Sequence, residues 1–114
     1  MEKFMQVINK AQELGIVTLY QYWSEGIKNL VLEDTRKQEK ELKYLKCAYA
    51  EAIMNSRDAR ILMQRELAKL TDIEIWEEEN LTDEMFGRMT YLRKEIANHR
   101  AKEAQYINAR EELI

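Results

Sequence analysis

Three groups of side chains in this 114-residue chain have types and spacings that could do chemistry. Glu95, His99 and Glu103 fall at i, i+4 and i+8, on one helix face, where a carboxylate-bridged metal could be held. A helical di-iron site uses two Glu-x-x-His pairs. This chain has one histidine, in Glu-x-x-x-His spacing, so the triplet reads as a polar layer in a helix seam. Glu74 and Glu77 have the Glu-x-x-Glu spacing of a helical Mg²⁺ site, but no second acidic pair stands at matching depth on a partner helix. Cys47 and His99 are the single cysteine and histidine, and they lie far apart with no supporting motif. No Ser/His/Asp or Cys/His nucleophile set is expected from such a pattern. The expectation is a protein that is not an enzyme, with no metal and no cofactor.

The third group is apolar. Trp76 stands between Ile73, Ile75 and the acidic run Glu77-Glu78-Glu79. Tryptophan is a frequent anchor of protein interfaces, so Ile73, Ile75, Trp76 and Glu77 form a candidate partner-binding site. The competing reading is a core plug, with Trp76 tucked under a turn. Tyr20, Tyr22 and Trp23 form a second candidate surface. They follow Ala11-x-x-x-Gly15-Ile16, which has the small-residue and glycine spacing of a helix-turn-helix. The helix after that turn would carry only Lys28 nearby and no arginine, and Gln21 and Ser24 occupy positions that should be apolar.

Composition limits the fold that positions these groups. Proline is absent and there are three glycines, Gly15, Gly26 and Gly87. Sandwiches and barrels need frequent turns, and a phosphate-binding loop needs clustered glycines. An apolar share of 46% is too high for a disordered chain. Lys plus Arg is 18 against Asp plus Glu 21, a net charge of -3, which gives no basic field for nucleic acid. A lone Cys47 excludes an intrachain disulfide and fits a reducing cytosol, with the thiol packed as a small hydrophobe. The N-terminal segment has no continuous apolar stretch, so a secretory signal is not expected. No apolar run approaches a membrane span. The expected location is the cytoplasm.

The elements follow from periodicity and caps. A first helix is predicted over 2–14, with Phe4, Met5, Ile8, Ala11 and Leu14 on one face and Gly15 closing it. A second is predicted over about 17–32, with Leu19, Trp23, Ile27, Leu30 and Val31; Ser24 could instead cap a fresh start. Thr35 with Gln38 has capping-box spacing and predicts a helix over 35–70, although one unbroken helix from 17 to 70 is the alternative. Residues 71–81 break the pattern, with Thr71 and Glu74 again at capping-box spacing. Thr82-Asp83-Glu84 opens a last helix over 83–112.

The two long helices carry matching heptad seams. One reads Leu42, Leu45, Tyr49, Ala52, Ser56, Ala59, Met63, Glu66, Leu70, and the other Met85, Met89, Leu92, Ile96, His99, Glu103, Tyr106, Arg110, Leu113. A fold-back at Trp76 predicts an antiparallel hairpin with Met63 opposite Met89, Ser56 opposite Ile96 and Tyr49 opposite Glu103. A second apolar edge, Ala48, Ile53, Ile61, Leu62 and Leu67, lies beside the first seam, Ala97, Ala101, Ala104 and Ile107 lie likewise beside the other, and both edges need covering. The N-terminal helices are too short to cover both arms.

The expected fold is therefore all-α: a single domain over 1–114, with N-terminal helices in 1–33 packed on a coiled-coil-like hairpin as a three- or four-helix bundle. The expected function is non-catalytic protein–protein interaction by a chain that self-associates as a homo-oligomer, with another protein as partner and no nucleic acid or membrane. Small acidic helical chains rich in Met, Asn, Lys and Ile are common among phages and mobile elements, which gives an inhibitor or adaptor acting on a host or defence protein as the specific form. The alternative is a DNA-binding regulator that uses the helix-turn-helix-like segment and dimerises through the hairpin.

Overall fold

The computed structural model describes residues 2–113. Among the described residues, four α-helices carry the fold: α1 (Glu2–Glu13), α2 (Glu25–Glu33), α3 (Thr35–Trp76) and α4 (Asp83–Glu111), with short 3-10 turns at Tyr20–Tyr22 and Glu78–Asn80. There is no strand among the described residues. The fold is all-α, with the long α3 packed against α4 and shorter helices at the N-terminus. The chain forms two compact units. One runs to Ile53 and resumes at Gln105; the other is Met54–Ala104.

In the first unit, α1 buries Phe4, Ile8 and Ala11 on the predicted face. Gly15 closes it at φ 80. Its N–H donates to the Gln12 carbonyl at 3.0 Å and the Ile16 N–H to the Ala11 carbonyl at 2.9 Å. That pair of bonds is a Schellman closure, which needs the left-handed residue at this place. Nothing lies within 4 Å of a Cβ built on Gly15, so space does not demand glycine; the φ angle does. Gly15→Ala is expected to cost about 1 kcal/mol, read from a urea midpoint, and an unchanged midpoint would contradict the closure.

The predicted helix over 17–32 is not continuous. A 3-10 turn at Tyr20–Tyr22 is followed by an extended Trp23, and α2 starts afresh after Ser24. The Ser24 hydroxyl accepts from the Ile27 N–H at 3.5 Å. Three side chains fix the loop before it. Gln12 Nε2 donates to Thr18 Oγ1 (3.3 Å) and to Gln21 Oε1 (3.5 Å), and Thr18 Oγ1 donates to Gln21 Oε1 (3.4 Å). An unbroken helix from 17 to 70 is also excluded. Asp34 is extended and serves two helices at once: its N–H closes α2 on the Val31 carbonyl, and its Oδ1 caps α3 by accepting from the Arg36 N–H at 2.9 Å. The cap of α3 is thus Asp34 rather than Thr35. Gln38 turns back to donate to the Leu32 carbonyl at 3.0 Å, satisfying a carbonyl left open at the end of α2.

The long helix α3 has 42 residues and ends at Trp76, beyond the predicted limit of 70. Thr71 does not cap a new turn; its Oγ1 donates to the Leu67 carbonyl at 2.8 Å inside the helix. Thr82 does cap α4, accepting from the Met85 N–H at 3.1 Å.

Within the second unit, α3 and α4 run antiparallel. Met89, Leu92 and Ile96 are buried from α4, and Ser56 from α3. The facing pairs differ from the predicted ones by about one turn. Ser56 bonds His99, not Ile96. In the first unit, the Tyr49 ring lies 6.4 Å from that of Tyr106, not beside Glu103. The cause is the bend. Because α3 continues through Trp76, the connection falls at 77–82, and every facing position slides toward the C-terminus of α4.

Candidate functional site

The polar seam residues come together in the second unit. Ser56 Oγ lies 3.0 Å from His99 Nδ1 and donates to the His99 carbonyl at 3.2 Å. A Ser–His contact was not expected from the sequence, because Ser56 and His99 lie on different helices and the assumed register kept them apart. The contact does not make a nucleophile. Both bonds are satisfied together only with the proton on Nδ1, so the ring donates to the hydroxyl rather than taking its proton. Ser56 is buried, and mid-helix N–H groups are committed to the helix, leaving no donors for an oxyanion. The pair pins the register of the hairpin.

Glu103 is the hub of this layer. It accepts from Arg60 Nε at 2.7 Å and from Arg57 Nε at 3.2 Å, with Arg60 Nη2 at 3.3 Å. The Arg60 guanidinium holds the Glu103 carboxyl below its ordinary value, against the opposing effect of desolvation and with further help from Arg57. Glu95 accepts instead from Asn98 Nδ2 at 3.4 Å. The face Glu95–His99–Glu103 is thus taken up by protein partners. Among the described residues no group of three or more His, Cys, Asp or Glu side chains is placed to hold a metal ion.

The first unit contains a buried acid that the sequence reading overlooked. Glu41 is fully buried, with Oε1 accepting from the Tyr20 N–H at 3.2 Å. Its other oxygen, Oε2, has no hydrogen-bond partner. Burial pushes the carboxyl up, while the Tyr20 and Leu19 N–H groups oppose that shift. A signal existed: Glu41, Leu45 and Tyr49 stand at steps of four, so the acid sits on the core stripe. Tyr49 is itself pushed up to about 12, by burial first and then by Glu112 and Tyr106. Cys47, by contrast, is exposed and not packed as a small hydrophobe. The core stripe of α3 passes through Leu45 and Tyr49 and leaves position 47 on the solvent side.

The candidate partner-binding residues divide by exposure. Trp76 is 80% exposed and Ile75 61%, so Trp76 is not a core plug. Ile73 is half-buried and Glu77 exposed. In the first unit, Tyr20 packs edge-on against Phe4 at 6.3 Å, with Lys28 Nζ 5.3 Å above its ring. Trp23 lies against the core, and only Tyr22 of that trio is exposed, at 71%. Over 16–24 the chain forms only the three-residue 3-10 turn at Tyr20–Tyr22, too short to serve as the recognition helix of a helix-turn-helix.

The second unit also carries an open groove of about 440 Å³, lined by Gln64, Leu67, Arg93, Ile96, Ala97 and Arg100. Arg57 and Arg60 are paired with Glu103 and Arg88 with Glu66 at 2.9 Å, whereas Arg65, which does not line the groove, makes no ion pair among the described residues. Arg93 and Arg100 have no acidic partner within 4.0 Å among the described residues.

No protein-family model, no curated protein and no solved structure matches this chain. Function is therefore argued from the site alone. No described helix is long and apolar enough to cross a membrane.

Proposed function

We propose that this chain is a non-catalytic protein–protein interaction protein that self-associates, acting in the cytoplasm, with Ile75 and Trp76 as its anchor for a partner. The exposure of Trp76 carries the reading. An indole left 80% in solvent beside an exposed isoleucine, at the end of a well-formed helix, gives nothing to the fold. Single exposed apolar residues are ordinary, but a tryptophan–isoleucine pair rimmed by Glu77, Glu78 and Glu79 has the composition of an interface hot spot with a polar rim. Composition supports, as the specific form, an inhibitor or adaptor carried by a phage or mobile element and directed at a host or defence protein.

Trp76→Ala tests the anchor. Truncating a hot-spot tryptophan costs about 2 kcal/mol or more of binding, a weakening of roughly thirtyfold or greater. Immobilised wild-type chain should retain a partner from native cytosol that the variant releases, with far-UV circular dichroism unchanged. Equal recovery by the two would show that the tip is not the anchor.

A further inference from the structure

The Arg93–Arg100 groove and the acidic turn both lie in the second unit. On α3, Leu67, Thr71 and Ile75 stand at steps of four and share a face. On α4, Phe86, Arg93, Ala97 and Arg100 share a face at steps of seven, four and three. The groove brings these two faces to the same side of the hairpin, because Leu67 lines it together with Arg93, Ala97 and Arg100. Toward the turn, both faces continue into exposed apolar residues, Ile75 and Phe86. Beyond Ile75 come the exposed acids Glu77, Glu78 and Glu79.

Taken outward from the turn, the second unit therefore carries an ordered series: exposed acids at the turn, exposed apolar side chains next, and two arginines without acidic partners farther along. The pattern is complementary to itself when reversed. The geometry points to a second copy of this chain as the occupant of the groove, docked about a two-fold axis that crosses the hairpin between its turn and Arg93. That operation lays the Glu77–Glu79 segment of one copy against Arg93 and Arg100 of the other, and does so twice. It also brings the Ile75 and Phe86 region of each copy over the partner's Leu67 and Ala97. Along α4, Arg93 and Arg100 stand ten and seventeen residues after Asp83, about 15 and 26 Å of helix from the turn, so acids and arginines are separated by a span in which the apolar residues lie. An isologous contact of this kind closes on itself and stops at a dimer. The inference rests on the proposed interaction function and names the surface and the partner for its self-association.

Sedimentation equilibrium on charge-reversed variants tests it. The first variant is Arg93→Glu with Arg100→Glu, and the second is Glu77→Lys, Glu78→Lys and Glu79→Lys. All five positions are exposed, and none makes an ion pair in the fold. Each variant alone should dimerise at least about tenfold more weakly than wild type. An equimolar mixture of the two should recover the wild-type association, since reversed arginines meet reversed acids. Arg93→Gln with Arg100→Gln serves as a milder variant, and circular dichroism confirms that every chain is folded. Variants that dimerise like wild type, or a mixture that stays monomeric, would overturn the groove as the dimer surface while leaving the interaction function standing. A wild-type chain that remains monomeric at about 100 µM would overturn the dimer altogether, and the Trp76→Ala capture would then decide the function by itself.

Discussion

Leu45→Ala is expected to lower the unfolding free energy by about 3 kcal/mol, and Leu62→Ala by less than about 0.5 kcal/mol. The two changes remove the same atoms from the same helix. Leu45 is completely buried in the core of the first unit, among Ile8, Val31 and Tyr49, whereas Leu62 is 64% exposed. At Leu45 the truncation forfeits transfer free energy and leaves a cavity that its neighbours can only partly fill. Against a total stability of roughly 5–15 kcal/mol for a natural domain, that loss is large. Urea denaturation followed by tryptophan fluorescence measures it. Trp23 packs against the same core, while Trp76 is already in solvent, so the emission change on unfolding reports mainly on the first unit. Equal losses for the two variants would mean that the burial pattern of α3 is wrong.

The second large effect is in pH. Glu41 and Glu103 are shifted in opposite directions from an ordinary value of 4.5. Glu41 has its folded value raised, so its contribution is fully favourable below 4.5 and is lost as pH rises through the folded value. Glu103 has its folded value lowered by Arg60, so its contribution is present above 4.5 and is lost as pH falls through the folded value. Stability of the first unit is therefore expected to decline from mildly acid toward neutral pH, and that of the second to decline on strong acidification. Glu41→Gln keeps an oxygen for the Tyr20 N–H and removes the buried charge. It should flatten the decline toward neutral pH and raise stability at pH 7 by about 1 kcal/mol. Glu103→Gln should leave that decline intact and remove the acid-side loss. Urea midpoints of wild type and both variants from pH 3 to 8 separate the two contributions. A Glu41→Gln variant less stable than wild type at pH 7 would contradict the account of the buried acid.

The parts of this architecture that were legible in the sequence are those set by local chemistry. Gly15 marks a left-handed closure because few other residues adopt φ 80 at low cost. Thr82 and Ser24 have the hydroxyl that a helix start needs. The heptad spacing selects the buried stripes whatever the register: Leu45, Tyr49 and Ser56 on α3, and Met89, Leu92 and Ile96 on α4. What sequence could not supply depends on a second element. Asp34 rather than Thr35 caps α3 because the end of α2 places it there. Thr71 has the same capping potential as Thr82, yet it satisfies a carbonyl within a continuing helix. That single difference moved the bend and shifted the register, and with it Ser56 onto His99. The burial of Glu41 is masked in the sequence because a charge signals solvent, while its step of four to Leu45 places it on the core stripe.

At the candidate site, the residue types were legible and their exposure was not. Ile73, Ile75 and Trp76 could equally have filled a core; the continuation of α3 through Trp76 leaves the indole and Ile75 in water. Tyr20 and Trp23, read as surface, turn inward because the extended Trp23 between the 3-10 turn and α2 directs both toward the core of the first unit.

The central claim is that the chain self-associates by covering its exposed apolar surface with a second copy. The most direct measurement is the mass of the wild-type chain by sedimentation equilibrium, across concentrations up to about 100 µM and at low and high salt. The account predicts a mass that rises toward twice 13.7 kDa with concentration and an association that weakens as salt screens the Glu77–Glu79 and Arg93–Arg100 charges. A mass that stays at 13.7 kDa at every concentration and salt would contradict it.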